Sequence, residues 1–297
     1  MSDTPALRVG LIHRDHPRHL QHRMIGMWAY EVPQFEVTRL AQPKHFTLNR
    51  DDYVDQFDVL FWEDARTVGT IKGNAPIPVV YYAGDSTLTF DHLRHRYEQS
   101  RQADLILVDW DDLDTFYDEF ILVKRLSYCV NERLFYPHEK TVDVGFYASM
   151  TEERRELHDW LTVFCAARGY SYEGGQREGV AYCAAIGSAR VNINMNRNPQ
   201  TRAHRCFDVM ASGSCLITSP MPPVSGEAWE EGLHYLEWID TCDLGAAIEA
   251  ALENGLWPYI AGRAFNYVQD HTWAARATQL HGLLSEFIAE RAVHALA

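Results

Sequence analysis

The sequence predicts an α/β fold made of two doubly wound parallel-sheet domains followed by a helical tail. Three observations carry this expectation. Short apolar runs of strand length alternate with amphipathic helical stretches, which is the pattern of βαβ units. A polar, aperiodic segment with a proline, "NERLFYPHEKT" (131–141), interrupts that alternation, which then restarts. The length of 297 residues is long for one core and suits two domains of about 150 residues each.

In chain order, "LRVGLI" (7–12) suits a buried parallel strand. Pro17 fits the first turn of a helix running to about Ala29, with Asp15 or His16 near its N-cap. "FEVTRL" (35–40), "DVLFWED" (58–64) and "IPVVYYAGDS" (77–86) read as strands two to four. A helix over "TFDHLRHRYEQSRQ" (89–102) follows, then strands "ADLILVDW" (103–110) and "FILVKRLSYCV" (120–130). The boundary is drawn at 138/139, giving domains 1–138 and 139–297.

In the second domain "VDVGFYAS" (142–149) is a strand. "TEERRELHDWLTVFCAARG" (151–169) is a helix, with Thr151 as its start signal and Gly169 as its stop. "ARVNINM" (189–195) and "SCLITS" (214–219) are strands around the helix "RAHRCFDVMASG". From about Leu244 the pattern is helical to the end.

Composition excludes several classes. No apolar run reaches 18 residues, so no transmembrane helix is expected, and "MSDTPALRVGLIHR" has no secretory leader pattern. Cys129, Cys165, Cys183, Cys206, Cys215 and Cys242 form no C-x-x-C pair, which points to reduced thiols and a cytoplasmic setting. A net charge of −14 argues against wholesale binding to nucleic acid or anionic membrane. The first 50 residues, with seven Lys/Arg and five His against four Asp/Glu, leave room for a locally basic face.

The segment with the richest chemistry is "TRAHRCFDVMASGSCLITS" (201–219). Arg202 and Arg205 fall at a helix start after a strand and a polar loop, and Asp208 lies one turn on. Arginine forks at such a start suit a phosphate. A carboxylate one turn further suits ribose hydroxyls. The same residues are equally readable as a solvated helix start in which the acid pairs with the arginines.

The order "R-C-F-D-V-M-A-S-G-S-C-L-I-T" resembles the "R-x-F-E-x-(L/M)-A-x-G-x-x-(L/V)-(L/I)-T" signature of glycosyltransferases with the GT-B fold. It is most similar to the spore-maturation glycosyltransferase-like (CgeB-like) group. "NERLFYPHEKTVDVGFYAS", "EGLHYLEWIDTCDLGAAIEAAL" and "YVQDHTWAARATQLHGLL" resemble further landmarks of that group in the same order, so the likeness spans about 130–285. The resemblance implies two Rossmann-like domains facing a cleft, the C-terminal one holding a nucleotide-diphosphate sugar and the N-terminal one the acceptor. It implies a transferase of hexosyl or pentosyl groups with no cofactor and no metal, using a nucleotide-sugar, UDP-sugar first, as co-substrate. Asp208 takes the place of the ribose-holding acid and Arg205 the pyrophosphate-binding helix start. Arg202, His204 and Asn194 stand with them, and Arg155 sits where the fold often keeps a basic phosphate contact.

On the acceptor side, "HRDHPRHLQH" (13–22) places His13, Asp15 and His16 in the loop after the first strand. His13, Asp15 or His16 suits a general base, and Arg14 and Arg18 suit an acceptor phosphate. Imidazoles every third residue drift about 60° per step on a helix, which disfavours one metal-facing stripe. Asp85 in "AGDS" is a further candidate base, or the cap of the helix after it. The acceptor stays open among glycan, protein, small molecule and modified DNA such as a hydroxymethylated pyrimidine. Gln200 and Asp208, where relatives carry two glutamates, also admit a non-catalytic nucleotide- or glycan-binding module, and an epimerase of the nucleotide-sugar is a third reading.

Overall fold

A computed structural model describes residues 6–14, 33–42, 45–63, 68–83, 100–108, 122–196, 203–221 and 228–295. The helix expected over 17–29 and most of that over 89–102 lie outside these residues. The chain divides into two compact units. Described residues up to Tyr128 join those from Ala274 onward in the first, and Cys129–Trp273 forms the second. The units therefore part ten residues ahead of the 138/139 boundary, and the last helix groups with the first unit.

The first unit carries a six-stranded, wholly parallel sheet in the order β2-β1-β4-β6-β7-β8. These strands are β1 (Leu7–Arg14), β2 (Phe35–Gln42), β4 (Val59–Glu63), β6 (Val79–Ala83), β7 (Leu105–Val108) and β8 (Leu122–Arg125). All of β4 and all of β7 are buried, Glu63 at the end of β4 included, which suits central strands of a parallel sheet. The sequence reading missed a second parallel pair, β3 (His45–Asn49) with β5 (Val68–Lys72). In β3 only Phe46 and Leu48 are buried, and both join the core around Trp62 and Tyr81. Gly69 is required opposite, because a Cβ there would stand 2.1 Å from the Phe46 ring.

The second unit has a five-stranded parallel sheet, ordered β10-β9-β11-β12-β13. Its strands are β9 (Val142–Tyr147), β10 (Tyr172–Gly175), β11 (Ala189–Asn194), β12 (Cys215–Thr218) and β13 (Leu236–Glu237). Its helices are α1 (Glu152–Arg168), α2 (Gly179–Ser188), α3 (Arg205–Ala211), α4 (Thr241–Leu252) and α5 (Trp257–Val268); α6 (Trp273–Ala295) leads back to the first unit. β10 and α2 were not foreseen, because "YEGG" carries loop-like composition and "GVAYCAAIGS" is apolar nearly all round, without an amphipathic stripe.

Two helix ends follow directly from the sequence. Gly169 adopts φ +74, with its N–H donating to Ala166 and that of Tyr170 to Cys165. Gly213 adopts φ +61, with its N–H donating to Met210 and that of Ser214 to Val209. Both are left-handed glycine stops of the Schellman type. At the other end of α1, Thr151 is the N-cap residue but its hydroxyl makes no capping bond; only its carbonyl accepts, from the Arg155 N–H.

Candidate active site

The strand order of the second sheet reverses direction between β9 and β11. In open parallel sheets ligands bind outside the carboxyl ends of the strands at such a switch point. Here that place is built from the residues after Tyr147, Asn194 and Thr218 and from the start of α3.

β11 supplies an unusual pattern for a buried strand. Val191 and Ile193 enter the hydrophobic core, while Asn192 and Asn194 are equally buried at 1% and 0% exposure. A buried carboxamide must be satisfied by partners. The Asn194 amide nitrogen donates to Thr218 Oγ1 at 2.9 Å and to Asn196 Oδ1 at 2.8 Å. Its oxygen accepts from Arg205 Nη1 at 3.2 Å. Asn196 in turn donates its N–H to Ser219 Oγ at 2.9 Å and its amide to the carbonyls of Ser219 and Pro220. Asn194 thus ties the ends of β11 and β12 to the first residue of α3 in one polar network.

Two arginines bring positive charge here. Arg205 is partly buried; Nη1 is engaged by Asn194, and Nε has no hydrogen-bond partner among the described residues. Arg154 is 7% exposed and lies on the core stripe of α1 with Leu157, Leu161 and Cys165. Its Nη1 donates to the Ser149 carbonyl and hydroxyl at 3.3 and 3.2 Å, and its Nη2 to the Met195 carbonyl at 2.9 Å. One guanidinium therefore spans the switch point, from the turn after β9 to the end of β11.

Asp208 is 2% exposed. Tyr182 of α2 donates its phenol to Asp208 Oδ2 at 3.1 Å, and His204 Nδ1 stands 3.6 Å from Oδ1. Burial first, then the Asp208 charge, pushes the Tyr182 phenol well above its ordinary value, so it stays protonated and remains a donor.

Of the expected donor-side residues, Asn194, His204, Arg205 and Asp208 thus come together. Arg202 lies outside the described residues. Arg155 points the other way, exposed on the outer face of α1, and the inward arginine is its neighbour. The signal was present: positions 154, 157, 161 and 165 make one helical stripe with three apolar members. Tyr182, Asn196 and Thr218 were also missed, since no local pattern brings α2 to α3. On the acceptor side, Asp15, His16 and Asp85 lie outside the described residues, and for His13 the description covers only the backbone, at the carboxyl end of β1. Among the described residues no group of three or more His, Cys, Asp or Glu could hold a metal ion, and no helix is long and apolar enough to cross a membrane.

Residues 148–282, which contain Arg154, Tyr182, Asn194, Arg205 and Asp208, match the family described as glycosyl transferase-like. HepE of Anabaena, solved with UDP and glucose, superposes with a TM-score of 0.64 at 12% identity, over 94% of this chain and 100% of that one. Sucrose-phosphate synthase of Thermosynechococcus elongatus gives 0.60 at 12% identity, over 96% and 100%. The pneumococcal O-GlcNAc transferase GtfA, solved with UDP and GlcNAc, gives 0.52 at 10%, over 79% and 58%. No curated protein sequence matches the chain. Residues 148–282 are thus glycosyl transferase-like, in a chain whose two parallel-sheet units are similar in fold to solved proteins of the GT-B type.

Proposed function

We propose that the protein transfers a sugar from a nucleotide-diphosphate sugar, UDP-sugar first, to a hydroxyl acceptor without a metal ion, and that it belongs to the CgeB-like group. The observation that carries this reading is that Arg154 and Arg205 both bond at the carboxyl end of β11, to Met195 and Asn194, with no partner for Arg205 Nε among the described residues. HepE, captured with UDP and glucose, supports the choice of nucleotide.

In the reaction the bond from the anomeric carbon to the diphosphate oxygen breaks and the acceptor oxygen bonds to that carbon. The acceptor proton passes to a base, and the nucleoside diphosphate leaves. Arg205 and Arg154 supply fixed positive charge to the departing diphosphate, which needs no reorganisation as the charge develops. Asn194 holds Arg205 in place, and Asp208, hydrogen-bonded by the Tyr182 phenol, faces the ribose. The first domain orients the acceptor, with His13, Asp15, His16 or Asp85 as the base. We place the enzyme in the cytoplasm.

A second reading is favoured by one observation. Asp208 is almost fully buried and already engaged by Tyr182. A module that binds nucleotide without turnover fits this, and donor hydrolysis or transfer would refute it. Thermal shift over a panel of nucleoside diphosphates and nucleotide-sugars tests both readings. A ligand at 100 times its Kd stabilises by about 2.7 kcal/mol. We expect UDP to raise the Tm of the wild type and not that of Arg205→Ala; a panel without any shift refutes nucleotide binding.

A further inference from the structure

The segment just ahead of β9 grips the far ends of the two helices that carry the donor-side residues. Lys140 Nζ donates to the carbonyl of Gly187 at 2.7 Å, the carbonyl of Ser212 at 2.9 Å and Ser214 Oγ at 2.8 Å. Gly187 lies in the last turn of α2 and Ser212 caps α3, so one ammonium joins the carboxyl ends of both helices. A cation there also meets the negative ends of two helix dipoles.

The surrounding contacts reinforce this join. α2 ends on extended Ala189 without a glycine stop, so its last carbonyls need outside donors. Ile186 O is met by Asn192 and Ser214, Ser188 O by the Thr141 N–H, and Gly187 O by Lys140. Pro137 lies against Gly213, where a Cβ would stand 3.1 Å from its ring, and the His138 ring lies against Gly187, where a Cβ would stand 2.3 Å away. Burial pushes the Lys140 ammonium down to about 8, as expected for a charge held away from water.

We propose that Lys140 is a positioning residue of the donor site. By fixing α2 to α3 at their carboxyl ends it sets the spacing at which Tyr182 of α2 reaches Asp208 of α3. Arg205 and Ser212 are seven residues apart, about 10 Å along the helix, so Lys140 acts without touching the ligand. This role rests on the reading that α3 carries the donor site.

The test is a double-mutant cycle of Lys140→Met and Tyr182→Phe, with UDP binding read by calorimetry and Tm read alongside. If Lys140 acts through the Tyr182–Asp208 contact, each variant weakens UDP about fivefold or more, and the double variant is no weaker than the worse single one. A merely structural lysine lowers Tm and leaves the UDP Kd unchanged, and that result overturns the proposal. Multiplying effects in the double variant also overturn it. Should Lys140→Met fail to fold, Ser214→Ala removes one of the three acceptors and must show the same coupling to Tyr182→Phe. A wild type that binds UDP alongside an unaffected Lys140→Met sinks this inference alone, whereas a wild type that binds no nucleoside diphosphate sinks the donor reading and this role with it.

Discussion

Replacing Arg154 by leucine, with Arg155→Leu as its neighbour control, separates the inward arginine from the outward one. Three hydrogen bonds hold Arg154 among the described residues, and they are unequal. The two to Ser149, at 3.2 and 3.3 Å, end on an exposed residue where water replaces them readily. The bond to the Met195 carbonyl is 2.9 Å and more enclosed. A hydrogen bond to a charged group contributes about 1.5–3 kcal/mol, and we take this full weight only for Met195. Leucine refills much of the buried stem's volume, so Arg154→Leu should cost about 1.5–3 kcal/mol. In a unit of this size that lowers Tm by roughly 5–10 °C. Arg155→Leu, on the exposed face, should change stability by about 0.5 kcal/mol at most. UDP affinity should follow the same division, falling about tenfold or more for Arg154→Leu, the equivalent of roughly 1.4 kcal/mol, and staying near wild type for Arg155→Leu. Urea unfolding of the second unit and UDP calorimetry read both quantities. Equal losses in the two variants, or a loss under about 0.5 kcal/mol for Arg154→Leu, refute the assignment of the switch-point charge to Arg154.

Four further outcomes follow from the same structure. Tyr182→Phe removes the donor to a buried carboxylate and should cost about 1.5–3 kcal/mol by chemical denaturation; an unchanged midpoint excludes that bond. Asp240 caps α4 by accepting from the N–H groups of Cys242 and Asp243 at 2.7 and 3.0 Å. Asp240→Ala should therefore cost about 0.5–2 kcal/mol in the same assay. Gly213→Ala forces a left-handed residue with a Cβ 3.1 Å from Pro137, and should cost about 1–2 kcal/mol, with Gly262→Ala, where nothing lies within 4 Å, as the unstrained comparison. The last concerns pH. Lys140 has an ordinary value of 10.5 and a folded value of about 8, so between those limits the unfolded chain binds the extra proton. Stability of the wild type relative to Lys140→Met should then rise from pH 8 to 10.5 and be flat below 8; a fall across that window contradicts the assignment.

Much of the second unit was legible locally. Apolar runs such as "VDVGFY" and "CLIT" are strands because only a doubly covered parallel sheet buries them on both faces. Gly169 and Gly213 end helices because their left-handed conformation suits a residue without a Cβ. Where local composition and tertiary context disagree, the sequence misleads. "YEGG" looks like a loop and becomes the edge strand β10 by pairing with β9. "HFTLN" carries only two large apolar residues and becomes β3 because Phe46 and Leu48 complete the core around Trp62.

The site divides along the same line. The segment 201–219 fixes Arg205 and Asp208 by itself, since a helix start after a strand and a glycine stop before the next strand are properties of neighbouring residues. The stripe of α1 likewise held the choice between Arg154 and Arg155, because helical periodicity alone decides which side faces the core. Tyr182 meeting Asp208, Asn194 meeting Thr218 and Arg205, and Lys140 meeting the ends of α2 and α3 join residues 11 to 74 positions apart. Those pairings depend on the order in which parallel strands assemble, which no local preference encodes, so only the folded chain decides them.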